Sequence, residues 1–78
     1  MKEIKVLGTG CATCQAVMTL IQQEAASDGI ELQCSKIEDI AEIMGYGVMS
    51  TPGVVVNGTL VHSGGMPSLS DVRAWLRM

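Results

Sequence analysis

The stretch that decides the architecture is Lys2-Glu3-Ile4-Lys5-Val6-Leu7-Gly8-Thr9-Gly10-Cys11-Ala12-Thr13-Cys14. Residues 2–7 alternate, with Ile4 and Val6 on one side and Glu3 and Lys5 on the other, which is the period of a strand with one buried face. Gly8-Thr9-Gly10 breaks that alternation. From Cys11 to about Ser27 the period becomes helical. Cys14, Val17, Met18, Ile21 and Ala25 fall at i, i+3, i+4, i+7 and i+11 and make one apolar stripe, while Gln15, Thr19, Gln22 and Gln23 lie elsewhere around the helix. Asp28-Gly29 ends it, the glycine supplying a left-handed cap.

Outward from this unit, Ile30 to about Ile37 reads as a second strand with Ile30, Leu32 and Cys34 on one face. Asp39-x-x-Glu42 resembles a capping box that opens a short helix carrying Ile40, Ile43 and Met44, closed by Gly45-Tyr46-Gly47. Val54-Val55-Val56 is a continuous β-branched run suited to a central strand. Asn57-Gly58 is a hairpin signal, with a returning strand over Thr59 to His62. After Gly64-Gly65, Ser68-x-x-Asp71 caps a final helix with Leu69, Val72 and Leu76 facing inward. The order β-α-β-α-β-β-α predicts an α/β fold over residues 1–78 as a single domain: a mixed four-stranded sheet flanked by helices on both faces.

Composition narrows the function classes. The chain has 78 residues, 47% of them hydrophobic and 17% charged, which is globular rather than disordered. Five basic residues and a net charge of -3 cannot lay down a phosphate-tracking patch, and one Tyr and one Trp give no platform for stacking bases. Nucleic acid is therefore excluded as a partner. No apolar run approaches the ~20 residues of a membrane span. The N-terminus carries acid early, unlike a signal peptide, so a cytoplasmic setting is expected. Three cysteines are no disulfide framework for a secreted mini-protein.

The pair Cys11-Ala12-Thr13-Cys14 carries the chemistry. It opens a helix, where four backbone N–H groups lack helical partners and the helix dipole adds positive potential. Both favour a thiolate, so Cys11 at the exposed tip is the expected nucleophile. Cys14 begins the core-facing stripe and is the shielded, resolving thiol. Two intervening residues at a helix start bring the sulfurs within disulfide reach. A structural zinc site needs four ligands, and Cys34, His62 and the carboxylates have no recognisable spacing, so no metal is expected. Ser50-Thr51-Pro52-Gly53 places a proline at the entry of a central strand, where it removes a ladder donor. It is read either as a cis peptide in a tight turn or as an ordinary trans proline.

Strand, Cys-x-x-Cys, helix, then Thr-Pro before a hydrophobic strand, Asn-Gly, Gly-Gly and a terminal helix together resemble the thioredoxin/glutaredoxin superfamily. Val6-Leu7-Gly8-Thr9-Gly10-Cys11, Tyr46-Gly47-Val48-Met49-Ser50-Thr51-Pro52 and Val56-Asn57-Gly58 are similar to the small prokaryotic thioredoxin-like proteins called redox-active disulfide proteins. That resemblance implies a minimal thioredoxin-like fold and a thiol–disulfide oxidoreductase acting through a redox-active Cys11–Cys14 disulfide, with no tightly bound cofactor. It implies that Pro52 is cis and packs beside the disulfide, and that Thr51 offers backbone hydrogen bonds to an extended protein substrate. Gly64-Gly65 matches the glutaredoxin Gly-Gly turn, which adds both glycines to the substrate-binding set. Disulfide-containing proteins are the implied substrates, with thioredoxin reductase or the glutathione system as electron donor.

The sequence also departs from those relatives. Gly10 precedes Cys11, and Ala12-Thr13 separates the cysteines, where thioredoxin carries Trp-Cys-Gly-Pro-Cys. The basic residue nearest in sequence to Cys11 is Lys5, and no acid is placed to take the Cys14 proton. A soft-metal carrier binding Cu(I) through Cys11 and Cys14 is the competing reading, and a redox sensor that does not turn over is a third. Heavy-metal-associated domains share the early Cys-x-x-Cys but end in a strand, whereas Ser68 to Met78 is capped and helical. Cys34 is expected to be a buried small hydrophobe, His62 a solvated surface histidine, and Trp75 a packing residue. Tyr46 closes the loop leading to Thr51-Pro52 and is expected near the site.

Overall fold

A computed structural model describes residues 2–8, 12–48 and 50–78. Its elements run β1 (Lys2–Leu7), α1 (Ala12–Ser27), β2 (Leu32–Ile37), α2 (Ile40–Gly45), β3 (Gly53–Val56), β4 (Thr59–Ser63) and α3 (Leu69–Leu76). The strands form one sheet in the order β2-β1-β3-β4. β1 pairs parallel with β2 and antiparallel with β3, and β3 pairs antiparallel with β4. The mixed four-stranded α/β architecture expected from the sequence is the one observed. Cys11 and the Thr9-Gly10 break before it lie outside the described residues.

The strand period sorts side chains onto two faces. Ile4, Val6, Val54 and Val56 turn to one side and pack with Cys14, Val17, Ile21 and Ala25 of α1 and Val72, Trp75 and Leu76 of α3. Leu7 and Val55 turn to the other side and meet Ile43 of α2. This explains the unbroken valine run: β3 is interior and covered on both faces, so every residue of Gly53–Val56 is buried. Each such valine contributes about 1.5–3 kcal/mol relative to exposure.

Helix ends account for the boundaries. Ile30 N–H donates to Ala25 O at 2.8 Å and Gly29 N–H to Ala26 O at 3.2 Å, with Gly29 at φ 67, which is a Schellman cap on α1. Ile30 is committed to that cap, so β2 begins at Leu32 rather than at Ile30. Asp39 caps α2 by accepting from Ala41 N–H, but only Ile43 of that short helix is buried; Ile40 and Met44 are exposed. Ser68 and Asp71 form the reciprocal capping box of α3. The buried set there is Val72, Trp75 and Leu76, whereas Leu69, expected to face inward, sits at the first helical position and is exposed. Asn57 and Gly58 both take positive φ in the hairpin turn. Among the described residues, no helix is long and apolar enough to cross a membrane.

Candidate functional site

The site forms where β1 runs out. Gly8 is buried and extends the β1–β2 ladder by one bond, its N–H donating to Ile37 O at 2.9 Å. A methyl group on its α-carbon would overlap Cys14 Sγ and would stand 3.3 Å from Cys14 Cβ and 3.8 Å from Thr51 Cβ. Three separate parts of the chain therefore meet at one point: the end of β1, the first turn of α1, and the segment entering β3. Only glycine permits that approach. From its sequence context alone, Gly8 is expected to be a strand breaker. The signal for its actual role is a glycine placed directly between a buried strand and a dithiol, where close backbone approach is a recurrent reason for glycine.

Cys14 is fully buried and belongs to the core cluster of α1, β1, β3 and α3. It is disulfide-bonded. The first turn of α1 carries no acidic residue to offset the positive end of its dipole. Ala12 is exposed and Thr13 partly so, so the helix tip faces solvent while Cys14 faces the core.

The Thr51–Pro52 peptide is cis. Pro52 is buried and Thr51 exposed. Neither backbone group of Thr51 is hydrogen-bonded to another described residue. The segment is held from the β4 side: Gly64 N–H donates to Pro52 O at 2.8 Å, and Ser63 Oγ donates to Ser50 O at 3.3 Å. Gly64 and Gly65 take φ of 83° and 71°, left-handed values natural to glycine. Gly8 thus stands close to both the buried Cys14 and Thr51, and the neighbouring Pro52 is tied to the Gly64-Gly65 turn, while Cys11 lies outside the described residues.

Other candidates fall elsewhere. Lys5 sits on the α2 side of the sheet, its Nζ donating to Tyr46 Oη at 3.3 Å and standing 3.7 Å from Glu3. Its pKa is raised, chiefly by the Tyr46 hydrogen bond. Tyr46 packs with Leu7, Ile43 and Val55 on that face. Cys34 is free and half-buried beside Ile4 in the strand register, and burial pushes its thiol pKa up. His62 is not simply solvated: it is partly buried, its ring centroid lies 5.6 Å from that of Trp75, and Nε2 lies 2.9 Å from Gly65 O. Among the described residues, no group of three or more His, Cys, Asp or Glu side chains could share a metal ion.

The thioredoxin domain family matches residues 2–77. The chain is 30% identical over 73 residues to a thioredoxin of Methanothermobacter thermautotrophicus, covering 94% of this chain and 95% of that one. It is 30% identical over 77 residues to a thioredoxin of Methanocaldococcus jannaschii, covering 99% and 88%. Among solved structures, the thioredoxin of Malassezia sympodialis shares the fold with a TM-score of 0.64 at 16% identity, over 97% of this chain and 72% of that one.

Proposed function

Since this chain belongs to the thioredoxin domain family, we propose that it is a disulfide reductase working through a Cys11–Cys14 dithiol. The observation that carries the reading is the meeting of Gly8, Cys14 and Thr51 at the N-terminal end of α1. It sets a buried sulfur directly beneath an exposed segment whose backbone is open to a partner. Three further facts support the pairing. Cys14 is disulfide-bonded and Cys34 is free, and the chain has three cysteines.

In the reducing direction, the Cys11 thiolate attacks one sulfur of a substrate disulfide. That S–S bond breaks, one substrate sulfur leaves as a thiolate, and a mixed disulfide joins Cys11 to the substrate. Cys14 gives its proton to solvent and, as a thiolate, then attacks the Cys11 sulfur. The mixed disulfide breaks, the second substrate thiolate departs, and the two electrons have passed from the dithiol to the substrate. Solvent supplies the protons that the leaving thiolates take up. The helix terminus favours the attacking thiolate, and burial of Cys14 keeps it from competing for the incoming disulfide.

Thr51, Pro52, Gly64 and Gly65 form the substrate-binding rim. An extended substrate strand pairs with the backbone of Thr51. The oxidised pair is reset by a thioredoxin reductase or by glutathione in the cytoplasm, and no tightly bound cofactor takes part. Residues 1–78 act as one thioredoxin-like unit.

A redox titration of the dithiol, coupled to reduction of a protein disulfide with thioredoxin reductase or glutathione as donor, tests this. Turnover that is lost in Cys11→Ser supports it. Tight Cu(I) binding without turnover from either donor overturns it in favour of a metal carrier.

A further inference from the structure

The β4 strand contains a bulge whose effect falls on one side chain. Val55 stands opposite Leu60, yet Val54 stands opposite His62, so Val61 is an extra residue on β4. Leu60 packs on the α2 face with Val55. In an unbroken strand His62, two residues on, would point to that same face. The bulge instead gives it the face of Val54, where α3 packs. There its ring meets Trp75 at 5.6 Å with an interplanar angle of 55°. Its Nε2 reaches Gly65 O at 2.9 Å. A carbonyl oxygen only accepts, so Nε2 carries the hydrogen.

Gly65 belongs to the turn whose Gly64 N–H holds Pro52 O at 2.8 Å. A continuous series of contacts therefore runs from Trp75 through His62 to the paired glycines and on to Pro52. Two adjacent glycines are the most permissive backbone available, so a turn built from them holds one shape only if something outside it restrains it. His62, itself wedged against the buried Trp75, supplies that restraint.

We propose that His62 is a positioning residue for substrate binding, re-aimed by the β4 bulge to clamp the Gly64-Gly65 turn and through it the Thr51-Pro52 segment. The inference rests on the reductase reading above. It assigns His62 no contact with the reacting sulfurs. Its effect is on how well an extended peptide is held, not on how fast the thiolate attacks once the peptide is bound.

The test uses pre-reduced wild-type protein, His62→Leu and His62→Gln, each checked for its melting temperature. Each reacts with a self-quenched peptide that brightens when its internal disulfide is cleaved. The half-saturating peptide concentration should rise about fivefold or more in His62→Leu, the loss expected for one hydrogen bond, while the limiting rate stays within about twofold. His62→Gln, whose amide can still donate to Gly65 O, should recover most of the difference. Amide hydrogen exchange at Gly64 should quicken about fivefold or more in His62→Leu, read by NMR independently of turnover. Unchanged half-saturation and unchanged exchange in His62→Leu, with normal wild-type turnover, overturn the clamp alone. Equal losses in the Leu and Gln variants overturn it as well, since general packing would then suffice. A wild-type protein that cleaves no disulfide overturns the reductase reading, and with it the role assigned to His62.

Discussion

Gly8 faces Cys14 so closely that the α-carbon of one and the sulfur of the other leave no room for a methyl group between them. The end of the first strand is thereby pressed against the Cys14 sulfur, with Thr51 Cβ near the same point. Gly8→Ala should push Cys14 out of its place and cost about 1–3 kcal/mol of stability, the usual effect of overpacking a filled interior. Denaturant unfolding reads that loss. Turnover should show the mixed disulfide accumulating, because a displaced Cys14 resolves it slowly.

The glycine pair on the rim offers an internal comparison. A Cβ at Gly64 would stand 3.1 Å from Ser50 Cβ, whereas one at Gly65 would meet nothing within 4 Å. Both take left-handed φ, so either alanine variant bears a backbone cost of about 1–2 kcal/mol. Gly64→Ala should exceed Gly65→Ala in destabilisation, measured by thermal unfolding, because it also strains the contact with Ser50.

Cys34 should be a sluggish thiol. Burial raises its pKa above the ordinary 9.0, so the folded state holds the thiol proton more tightly than the unfolded chain. Stability from this source is fully present below pH 9.0, and it falls as pH rises from there through the raised value. Iodoacetamide should modify Cys34 more slowly in the native protein than in denaturant at the same pH. Replacement by Ala should flatten the alkaline part of the stability profile.

Ser68 closes the start of α3 by accepting from Asp71 N–H at 3.1 Å, while Asp71 accepts from Ser68 N–H at 3.5 Å. Ser68→Ala should cost about 1 kcal/mol, with chemical denaturation as the check. Since α3 carries Trp75, the loss should be accompanied by a shift in Trp fluorescence.

Particular residues show why much of the fold is legible in the sequence and some of the site is not. Local rules read the Val54-Val55-Val56 run, the Asn57-Gly58 turn and the Ser68 and Asp39 caps correctly, because each depends on its own few residues. The adjacent apolar pair Leu60-Val61 breaks the alternation of Thr59 to Ser63 but does not say which residue is extra; that is fixed only by the pairing with β3. His62 therefore reads as a surface residue until Trp75 is brought against it. Ile40, Met44 and Leu69 sit at helical spacings that suit burial, yet burial depends on how far a short helix reaches over the sheet. Gly8 matters through a contact with another element, which no local pattern encodes.

The division of labour between the two sulfurs is tested most directly by trapping. Reduced Cys14→Ser protein is mixed with a disulfide peptide and its intact mass recorded. One covalently attached peptide per chain, released by dithiothreitol and absent from the Cys11→Ser/Cys14→Ser double variant, is the predicted result. No adduct, or an adduct that persists on Cys34 when Cys11 is replaced, would contradict it.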